Sequence, residues 1–170
     1  RGNDGTELYQ ELHRKIFPGD PWFKSCDRSV AVAVRWSGSD DSFPAGPVST
    51  QVPHMETSDK WEEIDWGGDF SKLQPGDIVT HPGHIWMWIG EEGIQQKFGK
   101  DAVAGSNIVH GSLNTRSPGA GKWYSDLNDG RVFRNVKKEP NSKYAGLLPQ
   151  SMSNVLQGGA KPGDVVASGN

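Results

Sequence analysis

The sequence predicts an α+β fold, and three observations carry that prediction. Helical spacing of apolar residues is confined to the first 36 residues, strand-like alternation fills the stretch from 78 to 136, and Gly/Pro-rich turns separate the two. Helices first and a run of strands afterwards suit layered packing with an antiparallel sheet rather than repeated βαβ units.

The first helix is expected from Thr6 to Ile16. Leu8, Leu12 and Ile16 recur on one face and Thr6 stands where a cap is needed. Phe17-Pro18-Gly19-Asp20-Pro21 ends it, because neither Pro nor Gly continues a helix well. A second helix opens near Ser25 or Cys26 and runs to about Trp36, with Val30, Ala33 and Val34 as its buried stripe and Ser37-Gly38 as its stop. The stretch from Gly38 to Asp59, rich in Ser, Pro, Asp and Gly, has no sustained period and reads as a long excursion without regular structure.

Strands follow. Gln74-Pro75-Gly76-Asp77 is a turn leading into Ile78-Val79-Thr80. His84 to Ile89 alternates, with Ile85, Met87 and Ile89 on one side and His84, Trp86 and Trp88 on the other. Gly90-Glu91-Glu92-Gly93 reads as a turn, Ile108-Val109-His110 as a short strand, and Arg131 to Val136 as the last strand. Residues 1–137 therefore form one domain. Residues 138–170 form a polar, Gly-rich C-terminal extension, packed on the domain or serving as a linker, whose residues 161–166 echo residues 74–79.

Composition removes several function classes. The 170 residues carry 18 basic and 21 acidic side chains, a net charge of -3, with no Lys/Arg cluster long enough to track a phosphate backbone. A nucleic-acid partner is not expected. No apolar run approaches the ~20 residues of a membrane span. Seven Trp and six Phe supply the bulk of a folded core despite a mean hydropathy of -0.66. The start at Arg1, without an initiator Met or signal-like segment, reads as an excised domain or mature fragment.

A single cysteine, Cys26, rules out an internal disulfide and a Cys-rich zinc module. At a helix start, unpaired backbone N–H groups and the helix dipole favour a thiolate, so a lowered thiol pKa is expected. A thiolate nucleophile needs a base that later protonates the leaving group, usually His. His13 reads as a surface residue of the first helix, and His54 lies in the Pro-rich stretch. His84 follows Pro82-Gly83 at a strand start, and His110 ends a neighbouring short strand where it can orient the other imidazole, a role also open to Asn107 or Asn114. His81 and His84 together suggest a metal pair, but the intervening Pro-Gly is not helical and the Glu of a helical zinc-peptidase motif is missing. No metal and no cofactor are expected. Asp40-Asp41 and Glu62-Glu63 read as solvated charges, and Trp61, Trp66, Trp86 and Trp88 as core aromatics, with one or two of them open to lining a groove for peptide or sugar.

Leu73-Gln74-Pro75-Gly76-Asp77-Ile78-Val79, followed by Gly83-His84-Ile85-Trp86-Met87-Trp88-Ile89-Gly90, resembles the signature of the NlpC-type cell-wall peptidases and the related CHAP amidases. The resemblance spans roughly residues 6–136. It implies a papain-like fold, with the nucleophile at a helix start packed on an antiparallel sheet. Cys26 corresponds to the family's nucleophile, His84 to its base and His110 to its third polar residue. The implied activity is cysteine-dependent hydrolysis of amide bonds in bacterial peptidoglycan or its stem peptides; the alternatives are a non-catalytic module that binds cell-wall glycan or peptide, and a cysteine hydrolase effector acting on a protein or lipid amide. A monomeric, secreted or cell-wall-associated enzyme of bacterial or phage origin, such as an endolysin, is the implied setting. Two features depart from the family pattern: Ser25 precedes and Asp27 follows the cysteine, and Gly19-Asp20-Pro21-Trp22-Phe23 lacks the usual Tyr.

Overall fold

Helix α1, Thr6–Ile16, is the first expected element, and the computed structural model that contains it describes residues 6–23, 25–98, 105–111, 118–123 and 129–149. Its stripe of Tyr9, Leu12 and Ile16 is buried. The side chain of Thr6, the expected cap, lies outside the described residues, as do Asn114 and the echo at 161–166. His13 corrects the surface expectation, since it is only 2% exposed. It stands four residues from both Tyr9 and Phe17 on the buried face, and its Nε2 meets Asp20 Oδ2 at 2.9 Å. That partner is what makes burying an imidazole tolerable.

Helix α2, Cys26–Trp36, is likewise where it was expected. Its buried face is wider than the expected stripe: Val30, Ala31, Val32 and Val34 are buried, while Ala33 is not. The excursion after it contains an unexpected helix α3, Val48–Thr57. Val48, Gln51, Val52 and Met55 make its inward face at helical spacing. The polar Gln51 interrupts the apolar signal, but its Nε2 donates to the carbonyls of Asp27 and Pro44, and Pro53 inside the helix reads locally as a breaker. A second correction concerns residues 90–93. Instead of a turn, Gly90 leads into α4, Glu91–Phe98, anchored by the fully buried Ile94.

Six strands form one antiparallel sheet in the order β1-β6-β2-β3-β4-β5. They are β1 Trp61–Ile64, β2 Ile78–His81, β3 His84–Trp88, β4 Ile108–His110, β5 Gly119–Gly121 and β6 Arg131–Asn135. Strands β1 and β5 were not foreseen. β6 pairs Phe133 with both Glu63 and Ile78, so the last strand lies between β1 and β2.

The alternation within the strands divides the core in two. Ile78, Ile85, Met87 and Phe133 face α1, α2 and α3. Val79, Trp86, Trp88, Ile108 and Val132 face the other way, onto Trp66, Leu73, Phe70 and Trp123. All four expected core tryptophans are buried. Asp77 explains the turn before β2. Its carboxylate, 1% exposed, accepts from Gln74 N and from Nε and Nη2 of Arg134 on β6 at 2.8–2.9 Å.

The two carboxylate pairs are not simply solvated. Asp40 is buried and accepts from Trp61 Nε1, Ser42 N and His54 Nε2. Asp41 accepts from Ser142 Oγ and Lys143 N, and Glu63 pairs with Arg131, which also reaches Glu56. The chain after β6 runs back along the end of α2. Glu139 N donates to Gly38 O, Arg35 Nη1 to Tyr144 Oη, and Trp36 Nε1 to Leu147 O at 3.0 Å. No helix among the described residues is long and apolar enough to cross a membrane. The structure is thus α+β, with four helices and a six-stranded antiparallel sheet among the described residues.

Candidate active site

Cys26 is the first residue of α2. The preceding Ser25 is extended and makes no side-chain capping bond; its Oγ donates to Trp22 O instead. In the first turn Arg28 N donates to Asp27 Oδ1 at 2.9 Å, and the N–H groups of Cys26 and Asp27 are left without a cap from Ser25 beside the thiol. Gly111, directly after β4, lies against this turn. A Cβ there would collide with Ser29 Oγ and stand 3.1 Å from Ser25 O. A side chain at 111 would thus push the end of β4 away from the cysteine helix.

His84 is delivered by the β2–β3 hairpin, in which His81 pairs with His84 across Pro82-Gly83. Pro82 presets its own φ and Gly83 supplies φ 76, the positive value such a tight turn needs. Cys26 and His84 line one cleft of about 1000 Å³. Pro47, Val48 and Val52 form an apolar wall beside them, and Asp129 and Arg131 stand at its polar end. Strand parity puts His84 on the aromatic side of the sheet, whereas Cys26 packs with the helix-side core. Both nonetheless line the cleft at the start of β3, where His84 pairs with His81 across the hairpin.

No direct hydrogen bond joins Cys26 to His84 in this structure. Such bonds in unliganded sites often form only when substrate arrives. His110 does not line the cleft. Its ring centroid lies 6.4 Å from that of His84 with the planes at 80°, and the Trp86 ring lies 5.1 Å from His84.

The electrostatics correct one expectation. Burial pushes the Cys26 thiol up from its ordinary value, and the Asp27 carboxylate adds to the rise. Backbone N–H groups of Ile85, Asp27 and Cys26 pull the other way without prevailing. The helix start is present, but it does not outweigh desolvation. His84 is lowered, first by burial and then by the charges of His110 and His81; His110 is lowered by burial. Both members of the candidate pair therefore rest uncharged near neutrality.

The remaining imidazoles each have a carboxylate partner, and His81 with its partner Asp129 lines the same cleft. His13 is held by Asp20, His54 by Asp40, and His81 meets Asp129 Oδ1 at 3.0 Å. Among the described residues, no three His, Cys, Asp or Glu side chains converge on a point where an ion could sit. Asn107 is committed as well. Its side chain accepts from Trp123 N at 2.8 Å and donates to Trp123 O at 3.2 Å, which removes it as an alternative orienter of His84.

Sequence reasoning did not find the α3 wall or the role of Gly111. It also missed the ionic ladder beside Cys26, in which Arg28 joins Asp27 to Asp20 and Asp20 in turn holds the buried His13. The acidic and basic residues of that ladder are eight or fewer positions apart, yet nothing in their spacing distinguishes them from solvated charges. No family model, curated protein or solved structure matches this chain.

Proposed function

We propose that this chain is a papain-like cysteine hydrolase that cleaves amide bonds in peptidoglycan or its stem peptides. The single observation that carries the reading is the meeting of Cys26, at an uncapped helix start, with His84 in the wall of one open cleft. The cell-wall substrate comes from the resemblance of residues 73–90 to the NlpC-type signature.

The uncharged resting pair favours general-base chemistry over a preformed thiolate. As Sγ attacks the substrate carbonyl carbon, its proton passes to His84. N–H groups at the start of α2 face the developing oxyanion, and each well-placed donor of this kind is worth roughly 3 kcal/mol. His84 returns the proton to the leaving amine, which leaves a thioester on Cys26. Water then attacks the thioester with His84 again as base, releasing the acid and restoring the thiol. His110 acts on His84 alone, limiting its orientation. No group beyond the chain, substrate and water enters the balance.

The test is digestion of purified sacculi, with mass spectrometry of the released fragments locating any new amino terminus. The parent should release fragments with or without a chelator, and folded Cys26→Ala and His84→Ala should release none. Fragment release that persists in Cys26→Ala overturns the proposal. A parent that binds sacculi and releases nothing points to a binding module.

A further inference from the structure

We propose that Gly121 is a positioning residue whose missing side chain forms the seat of the His110 imidazole. A Cβ placed on Gly121 would lie 2.6 Å from His110 Nε2 and 2.7 Å from Cδ2, inside the contact distance of carbon with either atom. The ring therefore occupies the volume a side chain would take. Gly119, two residues earlier on the same strand and the same face, provides the contrast. A Cβ there meets nothing within 4 Å, although Gly119 is the residue paired with His110.

Neither glycine has a positive φ, so the backbone at both positions accepts alanine. Glycine weakens a strand, and its presence within one marks either a bend or the close approach of another group. At 121 the approaching group is identified: the Nε2–Cδ2 edge of His110 rests on the β5 backbone, and Nδ1 lies on the edge turned away from it. That seat holds the ring nearly perpendicular to His84. Because β5 is the outermost strand on this side of the sheet, the seat is what keeps the ring from swinging outwards.

The catalytic consequence rests on the proposed hydrolase reading, whereas the seat itself does not. The experiment compares Gly121→Ala, Gly119→Ala, His110→Ala and the double variant His110→Ala/Gly121→Ala. The readouts are imidazole NMR resonances, thermal stability, and kcat and KM on solubilised peptidoglycan fragments. The His110 signal is assigned by its loss in His110→Ala.

Gly119→Ala should match the parent in every readout. Gly121→Ala should move the His110 ring resonances and lower kcat on the order of 10- to 100-fold with KM little changed, as expected for a sub-ångström displacement of a positioned group. In the His110→Ala background the Gly121 substitution should have no further effect on either quantity. Unmoved His110 resonances in Gly121→Ala, or an equal loss of kcat in both backgrounds, would overturn the seat. Should Gly121→Ala fail to fold, the double variant must fold as well as His110→Ala; a double variant that also fails overturns it. A parent that hydrolyses nothing defeats the hydrolase reading and leaves the NMR and stability comparisons to decide the seat.

Discussion

Alkylation of Cys26 by iodoacetamide should depend steeply on pH through neutrality. Only the thiolate reacts, and burial together with the Asp27 carboxylate holds this thiol above its ordinary range. Below its pKa a thiol loses thiolate about tenfold per pH unit, so the rate constant should rise roughly 100-fold between pH 6 and pH 8. Burial and the charges of His110 and His81 lower His84, which disfavours the imidazolium that would stabilise a thiolate. Asp27→Asn removes one of the two influences that raise the thiol, and should speed alkylation at pH 7 while leaving the slope intact. The assay is mass-spectrometric counting of modified Cys26, a simple readout because the chain holds one cysteine. A rate constant that is level between pH 6 and pH 8 would refute the argument. It would mean that Cys26 rests as a thiolate paired with an imidazolium.

Two stability predictions follow from buried carboxylates. Asp77→Ala should cost about 3 kcal/mol, because it strands Arg134 and frees the turn at Gln74; urea unfolding measures the loss, and the melting temperature should fall by roughly 6–12 °C. Asp77→Asn, which keeps an acceptor, should lose less. For Asp40, burial raises the carboxyl pKa, but the hydrogen bonds from His54, Trp61 and Ser42 outweigh it and hold the group below the usual range. An unfolded chain then binds that proton at a higher pH than the folded one, so stability is complete above the ordinary carboxylate value near ~4 and declines as pH falls through the lower folded value. Asp40→Asn should show a shallower decline over this acid window in urea titrations.

Periodicity made α1, α2 and β3 legible, since each places apolar residues at regular spacing on a face that is in fact buried. The two sides of β3 are the clearest case: Ile85 and Met87 went to one core and Trp86 and Trp88 to the other. Helix α3 was hidden because one member of its inward face is Gln51, whose amide is satisfied by carbonyls distant in sequence. Helix α4 was hidden behind two glycines and two glutamates that have the composition of a turn, and its helicity is secured by Ile94 in the core. Gly119-Ala120-Gly121 has almost no strand propensity and becomes a strand by pairing with β4. Cys26 and His84 are paired in expectation by the resemblance of residues 73–90, not by chain order, and both line one cleft. The protonation of the thiol was illegible, because a helix start can be seen in sequence and the depth at which it is buried cannot.

The return of the chain over the end of α2 has a consequence for where this polypeptide can be shortened. Gly38 and the last turn of α2 are gripped by residues 139–147, about 16 Å along the helix axis from Cys26. A helix that short transmits a tilt at one end directly to the other. Cleavage after Lys137, which looks harmless because it spares every strand, would release the bonds at Gly38, Arg35, Trp36 and Asp41 together. The segment from Glu139 to Leu147 thus ties down the far end of the helix that begins with Cys26, and a chain cut back to Lys137 would lose every one of those bonds.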